Sequence, residues 1–507
     1  MKMILTAAQM KAADNSAILQ GVPSLVLMER AALSVVHELM HRKQEYNLKR
    51  VCIFCGTGNN AGDGVAIGRI LKDYGYDATL ILVGPVDKYS DAMVQQVVAA
   101  RNRGVRMLME ADPAVLAHAT LIIDALFGIG LTRDIQGAYA DAIALMNQTA
   151  APIVAVDIPS GIHTDTGKIM GTAVKCSLTV TFARAKRGLL LFPGADYAGE
   201  VVVKEIGIPV VPERVEGKHL YACEEADLHL LPTREESGNK GTFKKILVIA
   251  GSRGIFGAAA LCAEAAMRSG AGMVKVFTEE VNRTALCSRL PEALISTYKE
   301  GSWDPVNDGI RLQEDLIWAD AVVIGPGLGT SGTSMGILAA FLNQNDKNGK
   351  KPTIFDADAL NLLAMSPSLM KQITFPAVFT PHLGEMARLG FRDVKELKSD
   401  PVTCAEQYAK QNQICLVMKD ARTVIAAPDG KTWLNTRGNS ALATAGSGDV
   451  LAGIMGTVFA QAPDLPEAPA LAVLIHALSG EKAAEKGSRS GVIAGDLLKE
   501  IPGIMPE

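Results

Sequence analysis

Two series of short, nearly unbroken apolar runs alternate with amphipathic ones along this chain, and a polar, proline-bearing stretch separates the series. In the first, Val51–Cys55, Ala78–Val83, Leu121–Asp124, Ile153–Asp157 and Leu178–Phe182 read as strands. Helical spacing fills intervals such as Asp91–Arg103 and Tyr139–Gln148, and a helical arm precedes the series over Ala7–Met40. Strands that are apolar throughout are buried on both faces, which predicts a largely parallel sheet between helical layers. The second series runs through Lys244–Ala250, Met273–Phe277, Ala321–Ile324, Thr353–Asp356, Ala377–Thr380, Cys415–Met418 and Thr423–Ala426, then ends in helices over Asp449–Ala460 and Ala468–Glu485. Between the series, Pro209, Pro212 and Pro232 accompany a charged run, Glu213–Lys218, that punctuates the chain. The expectation is two unlike α/β domains, residues 1–215 and 229–507, with a linker at 216–228.

Composition narrows the classes of function. At 507 residues the chain exceeds what one core organises. A net charge of −4 gives no electrostatic case for nucleic acid or an anionic membrane, and 5% aromatic residues argue against base-stacking platforms. No apolar run reaches the ~18 residues of a membrane span. Lys11 and Asp14 interrupt the N-terminal stretch, which lacks a signal-peptide core. Eight cysteines without a framework suit a reducing compartment, so a cytoplasmic location is expected. Cys52 and Cys55 form a C-x-x-C, but on a strand positions i and i+3 face opposite sides, so both read as buried structural thiols.

Candidate chemistry concentrates where strands end. Residues 56–64 read Gly-Thr-Gly-Asn-Asn-Ala-Gly-Asp-Gly between a strand and a helix expected from Val65. Gly56-x-Gly58-x-x-Ala61 fits the dinucleotide fingerprint, in which a helix N-terminus meets phosphate. The ribose-binding acid should end the second strand, about 20 residues on, yet Asp77 precedes its strand. Asn59, Asn60 and Asp63 are also more than an ordinary fingerprint loop needs. Asp124 and Asp157 each end a strand, so they should share one crevice with the loop. Singly, each acid could instead cap a helix or bond a turn. Amide, hydroxyl and carboxylate oxygens together suit a hard monovalent or divalent cation.

Taken in order, Leu27-Met28-Glu29-Arg30-Ala31, Gly58–Gly64, Asp124–Gly130 and Asp157–Gly161 resemble the NAD(P)H-hydrate epimerase domain over residues 1–215. The resemblance implies a Rossmann-like three-layer α/β/α domain. Asn59, Asn60, Ala61, Gly62 and Asp63, with Gly128, Ile129, Gly130, Leu131, Thr132, Arg133 and Asp134, would hold the hydrated nucleotide. Asp157 would be the catalytic acid or base, and Asn60, Asp124 and Ser160 would bind K+. Ala61 stands where the family has glycine, which alanine tolerates only at negative φ. Lys186, in Phe-Ala-Arg-Ala-Lys-Arg-Gly, also matches a family stretch and equally reads as a solvated lysine.

The second half has its own small-residue turn, Asn439 to Gly448, ahead of a helix that opens with Asp449. Successive N–H groups there can form an anion hole, and the aspartate can take a proton from an attacking hydroxyl. A plain glycine-rich turn with a capping aspartate is the alternative. No G-x-x-x-x-G-K-[ST] is present, so this is not a P-loop. Small-Gly-x-Gly-Asp before a helix resembles the ribokinase-like superfamily. Gly251-Ser252, Gly257-Ala258-Ala259, Gly270-Ala271-Gly272, Gly325–Gly329, Asp356–Leu360, Thr380–Glu385 and Lys419–Thr423 narrow the resemblance to the nucleotide-dependent NAD(P)H-hydrate dehydratase domain, over residues 225–505.

That resemblance implies a ribokinase-like α/β domain with Ala258, Gly327, His382 and the catalytic Asp449 at the hydrate. Lys419, Asp420, Ala421, Arg422 and Thr423, with Asn439, Gly446, Ser447 and Gly448, would hold ADP with Mg2+. Ala445 and Asp420 stand where the family has glycine, and Asp420 adds negative charge near the expected phosphates. Asp356 and Asp358 read equally as site or turn acids. Together the halves imply a homo-oligomeric repair enzyme that epimerises hydrated NADH and NADPH (NADHX and NADPHX) and dehydrates the S epimer at the expense of ADP, without nucleic-acid or membrane partners. The rival is a vitamin-precursor kinase of the same superfamily with a non-catalytic N-terminal binding module. The intact Asn60, Asp124, Asp157 and Ser160 and the Thr-Pro-His-Leu-Gly-Glu stretch speak against it.

Overall fold

A computed structural model of the chain describes residues 1–211 and 215–506. The chain divides into two compact units, Lys2–His219 and Leu220–Glu507, the second taking in Met1. Pro212, Glu213 and Arg214 of the expected charged run lie outside the described residues. The strand Leu220–Ala222 falls inside the stretch 216–228 that sequence alone left as linker, and the 3-10 turn Glu225–Leu230 begins in it. Among the described residues no helix is long and apolar enough to cross a membrane.

The N-terminal unit is a seven-stranded parallel sheet in the order Arg106–Leu108, Asp77–Leu82, Arg50–Cys55, Leu121–Ala125, Ile153–Val156, Leu178–Phe182, Glu200–Lys204. Strand order reverses between Arg50–Cys55 and Leu121–Ala125, which opens a crevice at their carboxyl ends. Both sheet faces are covered, as the apolar runs require. Cys52 and Phe54 pack with Ile143 and Met146 of the helix Ala138–Asn147. Ile53 and Cys55 face the helix Asn59–Asp73 at Gly64, where a Cβ would lie 2.5 Å from Ala125 Cβ and 3.0 Å from Cys55 Sγ. The two cysteines therefore point to opposite faces, both buried, and burial pushes the Cys52 thiol up to about 11.

Two elements differ from the periodicity. The arm is two helices, Ala7–Leu19 and Ser24–His41, because Gly21 turns at φ 94° and Pro23 opens the second one. The helix expected from Val65 begins at Asn59, so Asn59–Asp63 form its first turn rather than a loop before it. Asp77 opens its strand, at the end away from the crevice, and is no ribose acid.

In the C-terminal unit ten strands run in the order Leu220–Ala222, Thr432–Leu434, Val424–Ala426, Cys415–Met418, Ala377–Phe379, Thr353–Phe355, Ala321–Ile324, Lys245–Ile249, Met273–Glu279, Leu294–Tyr298. The pairs from Cys415–Met418 to Leu294–Tyr298 are parallel, and Val424–Ala426 and Thr432–Leu434 form an antiparallel margin. Order reverses between Lys245–Ile249 and Ala321–Ile324. Two small-residue helices, Phe256–Arg268 and Ser447–Gln461, pack together so closely that a Cβ on Gly453 would lie 2.1 Å from Cys262 O. The second rests on the sheet at Gly456, against Val323.

Candidate active sites

The crevice of the N-terminal unit holds a cavity of about 550 Å3. Asn59, Asn60 and Asp63 reach it from the first helical turn, and Gly128–Leu131, Asp157 and Lys186 complete one wall. Asp157 follows the strand Ile153–Val156 at φ 68°, a left-handed conformation that costs a non-glycine residue about 1 kcal/mol or more and that clusters at functional sites. Its N–H donates to Val180 O at 2.8 Å. Lys186 Nζ donates to Asp157 Oδ1 at 2.6 Å, to Thr181 Oγ1 at 2.8 Å and to Phe182 O at 2.9 Å, while Thr181 Oγ1 donates to the same Asp157 oxygen at 3.0 Å. Lys186 is 1% exposed, so it is not a solvated lysine.

Beneath this wall lies a second cluster. Asp124 is fully buried; its Oδ1 accepts from Ser160 Oγ at 2.6 Å and Leu126 N at 3.2 Å, and its Oδ2 from Ser160 N at 2.7 Å. Burial pushes Asp124 up to about 6 against these bonds. Phe127 N donates to Ser160 Oγ at 2.9 Å, and Asn60 Nδ2 donates to Phe127 O at 3.0 Å. Asn60 Oδ1 is left buried without a partner. An orphaned amide oxygen joined through Phe127 to a hydroxyl and a buried carboxylate is a donor set that fits a cation such as K+.

The remaining expected residues divide. Ala61 is buried at helical φ, so alanine meets no strain there, and Gly62 faces the Met28 side chain. Thr132, Arg133 and Asp134 are exposed and do not line the cavity. Glu29 is bonded by Arg69 Nη2 and by Gln96 Nε2, and Arg30 Nη1 donates to Ile206 O at 3.3 Å, so that motif ties the arm to its neighbours.

The expected residues of the C-terminal unit gather at the carboxyl ends of its strands. Asp356 follows the strand Thr353–Phe355, and its Oδ1 accepts from Thr380 Oγ1 at 2.6 Å and Lys419 Nζ at 2.8 Å. Lys419 bridges in parallel to His382, its N–H donating to Pro381 O at 2.8 Å. Its Nζ also reaches the helix Ser447–Gln461, lying 3.4 Å from where a Gly448 Cβ would stand. Gly446 begins that helix at φ 87°, and Asp449 sits in the first turn. Burial, then the charges of Asp356 and Asp358, push Asp449 up to about 7 against the pull of Lys419. Burial alone would lower Lys419, but Asp356, Glu385 and Asp449 outweigh it and hold the ammonium charged.

Ala258 and Gly327 meet, a Gly327 Cβ position being 2.9 Å from Ala258 Cβ, and Ser252 Oγ donates to Gly327 O at 2.9 Å. Asp358 Oδ2 accepts from Gly329 N at 2.8 Å. His382 Nδ1 caps a helix by accepting from Gly384 N at 2.9 Å and Glu385 N at 3.3 Å, which leaves the half-exposed Nε2 edge 3.5 Å from Glu385. Asn439 uses its side-chain oxygen locally, accepting from Ala441 N at 2.9 Å. Arg422 Nη1 donates to Thr436 O, and Thr423 Oγ1 to Asp420 O. Asp420 and Ala421 are exposed, and Ala445 avoids the left-handed region that Gly446 takes.

Three residues outside the expected sets complete these sites. Thr181 shares Asp157 with Lys186. Asp14, from the helix Ala7–Leu19, lines the N-terminal cavity, where burial and then the Asp157 charge push it up to about 6. His476 is buried behind the C-terminal anion turn, with Nε2 2.9 Å from Ser447 O, and burial pushes it down to about 4. Polar residues interrupting apolar stripes were the available signal for Asp14 and His476.

Fold and sites define a two-domain α/β enzyme with one carboxylate-centred site at the carboxyl ends of the strands in each sheet. The family model for NAD(P)H-hydrate dehydratase matches residues 246–503, and that for YjeF-related protein N-terminus matches residues 24–188. The bifunctional NAD(P)H-hydrate repair enzyme Nnr of Moorella thermoacetica is 36% identical, covering 99% of this chain and 96% of that protein. Its Escherichia coli namesake is 33% identical, covering 89% and 84%. A solved ribokinase-like superfamily protein from Enterococcus faecalis matches with a TM-score of 0.51 at 29% identity, covering 56% of this chain and 95% of that one. The chain belongs to the bifunctional NAD(P)H-hydrate repair enzyme family.

Proposed function

We propose that the chain repairs hydrated NADH and NADPH in two reactions, epimerisation in the N-terminal unit and ADP-dependent dehydration of the S epimer in the C-terminal unit. The observation that carries this reading is the pair of acid–lysine centres, Asp157 with Lys186 and Asp449 with Lys419 and Asp356, one in each unit. In the first, Asp157 exchanges a proton with the C6 hydroxyl while the ring-nitrogen lone pair assists ionisation. Lys186 and Thr181 orient its carboxylate. Asn60, Asp124 and Ser160 would hold K+, which supplies a fixed charge that steadies the Asn59 turn and the Phe127–Leu131 loop.

In the second centre Asp449 takes the proton of the C6 hydroxyl as the oxygen attacks the terminal phosphate of ADP, and AMP leaves. The ring-nitrogen lone pair then expels phosphate, and loss of a C5 proton restores the dihydropyridine. The N–H groups at Gly446–Asp449 would receive the transferred phosphate, and Lys419 brings positive charge to the same helix end. Mg2+ bound with the nucleotide supplies further neutralisation of phosphate charge. Asp420, next to Lys419, is exposed, so solvent screens its charge.

The test is incubation of the protein with mixed hydrate epimers, with and without ADP or ATP. Full recovery of the NADH absorbance with nucleotide, and none without, is expected. Recovery that stops once the S epimer is consumed would remove epimerisation from the reading.

A further inference from the structure

The helix Ala7–Leu19 turns Met10, Asp14 and Ala17 to one side, at helical spacing, and Met10 and Ala17 are buried. Asp14 thus lies on the inward side of the helix, with Met10, Lys11, Asn15 and Ile18, and lines the same cavity as Asp63, Asp157 and Lys186. Asp157 is held by Lys186 and Thr181, whereas Asp14 makes no hydrogen bond or ion pair among the described residues. The carboxylate is partly buried on the cavity wall, and no cap, turn or ion pair accounts for it.

Epimerisation at C6 poses a demand that one carboxylate does not meet. The ring-nitrogen lone pair forms the C=N bond as the C6–O bond breaks, and the departing hydroxyl takes a proton to leave as water. A second water then adds to the opposite face, gives up a proton, and the lone pair returns to nitrogen. One face needs a proton donor, the other an acceptor, and the reverse inversion exchanges these roles.

We propose that Asp14 is the second proton-exchanging residue of the epimerase site, serving the face of the nicotinamide ring opposite Asp157. Each inversion moves one proton out of one carboxylate and one into the other, and exchange with solvent or the reverse turnover resets the pair. The value of about 6 that burial and the Asp157 charge impose on Asp14 lets it hold or release a proton near neutrality. Lys11, Asp63, Asp157 and Lys186 are the other charged groups lining this pocket. The inference rests on the N-terminal unit being the epimerase.

The experiment uses the full chain, purified R hydrate, 18O-labelled water and no nucleotide. The wild type should form S hydrate carrying one labelled oxygen at C6 per inversion. Asp14→Asn should lower the epimerisation kcat about 100-fold, leave KM unchanged and abolish the acid limb of the pH profile. ADP-dependent dehydration of pure S hydrate should stay at the wild-type rate, and both calorimetric transitions should keep their midpoints, which shows that each unit of the variant folds. Asp14→Glu should restore part of kcat. Wild-type kcat with an unchanged pH profile in Asp14→Asn would overturn the assignment, as would inversion without label. No epimerisation by the wild type would overturn the epimerase reading itself, and this inference with it.

Discussion

Asp449 shows how one side chain sets a pH dependence. Its environment raises its pKa to about 7, chiefly by burial, so near neutrality the carboxylate is only half in the form that accepts a proton. The dehydration kcat/KM should climb about tenfold per pH unit below that value and level off above it. Asp449→Asn, measured by ADP-dependent recovery of the NADH absorbance, should lose both the activity, by at least about 100-fold, and the limb. Normal activity in that variant would remove the proton-abstraction role. Asp157 differs: Lys186 and Thr181 crowd its carboxylate with donors, and the left-handed backbone aims it into the cavity. Its place at a strand end was legible in the sequence, because an acid closing an apolar run is a local pattern. Its partners were not, because Lys186 and Thr181 come from a separate strand and the turn after it.

At the level of elements, glycine decides how closely helices approach. A methyl group on Gly453 would lie 2.1 Å from Cys262 O and 2.8 Å from Ala265 Cβ, neither of which can swing aside. Gly453→Ala should therefore force the helices Phe256–Arg268 and Ser447–Gln461 apart and destabilise the C-terminal unit by about 1–3 kcal/mol, read as a lower denaturation midpoint. Gly332→Ala, with nothing within 4 Å, should leave the midpoint unchanged; equal midpoints for both variants would refute the packing argument. Helices with apolar spacing were legible. The polar turn Asn59–Asp63 was not, because it lacks the apolar period although it is the first turn of its helix. The strands Leu294–Tyr298 and Thr432–Leu434 also escaped, the first for its mixed polarity and the second for its length.

For the whole molecule, two units with separate cores should unfold in two transitions. The Asp124 carboxyl rises on folding from an ordinary value of 3.8 to about 6, so the native state binds its proton more tightly than the unfolded chain does. The sign is destabilising: stability is lost as pH rises between these values, by about 3 kcal/mol once Asp124 is ionised. A cation held by Asn60, Asp124 and Ser160, as proposed, would offset that cost. K+ should raise one calorimetric transition only, strongly at pH 8 and hardly at pH 4; an equal shift of both transitions, or no shift at pH 8, would refute the site. The sequence by itself determined the two α/β units, the strand-end acids and the glycine-rich turns, since apolar period, glycine and capping residues act over a few neighbours. Only the tertiary structure decided that Lys186 is buried against Asp157, that Lys419 turns to Asp356, and that Asp14 enters the cavity. The physical reason is that these meetings depend on which strands and helices the crossovers set side by side, and no local pattern encodes that.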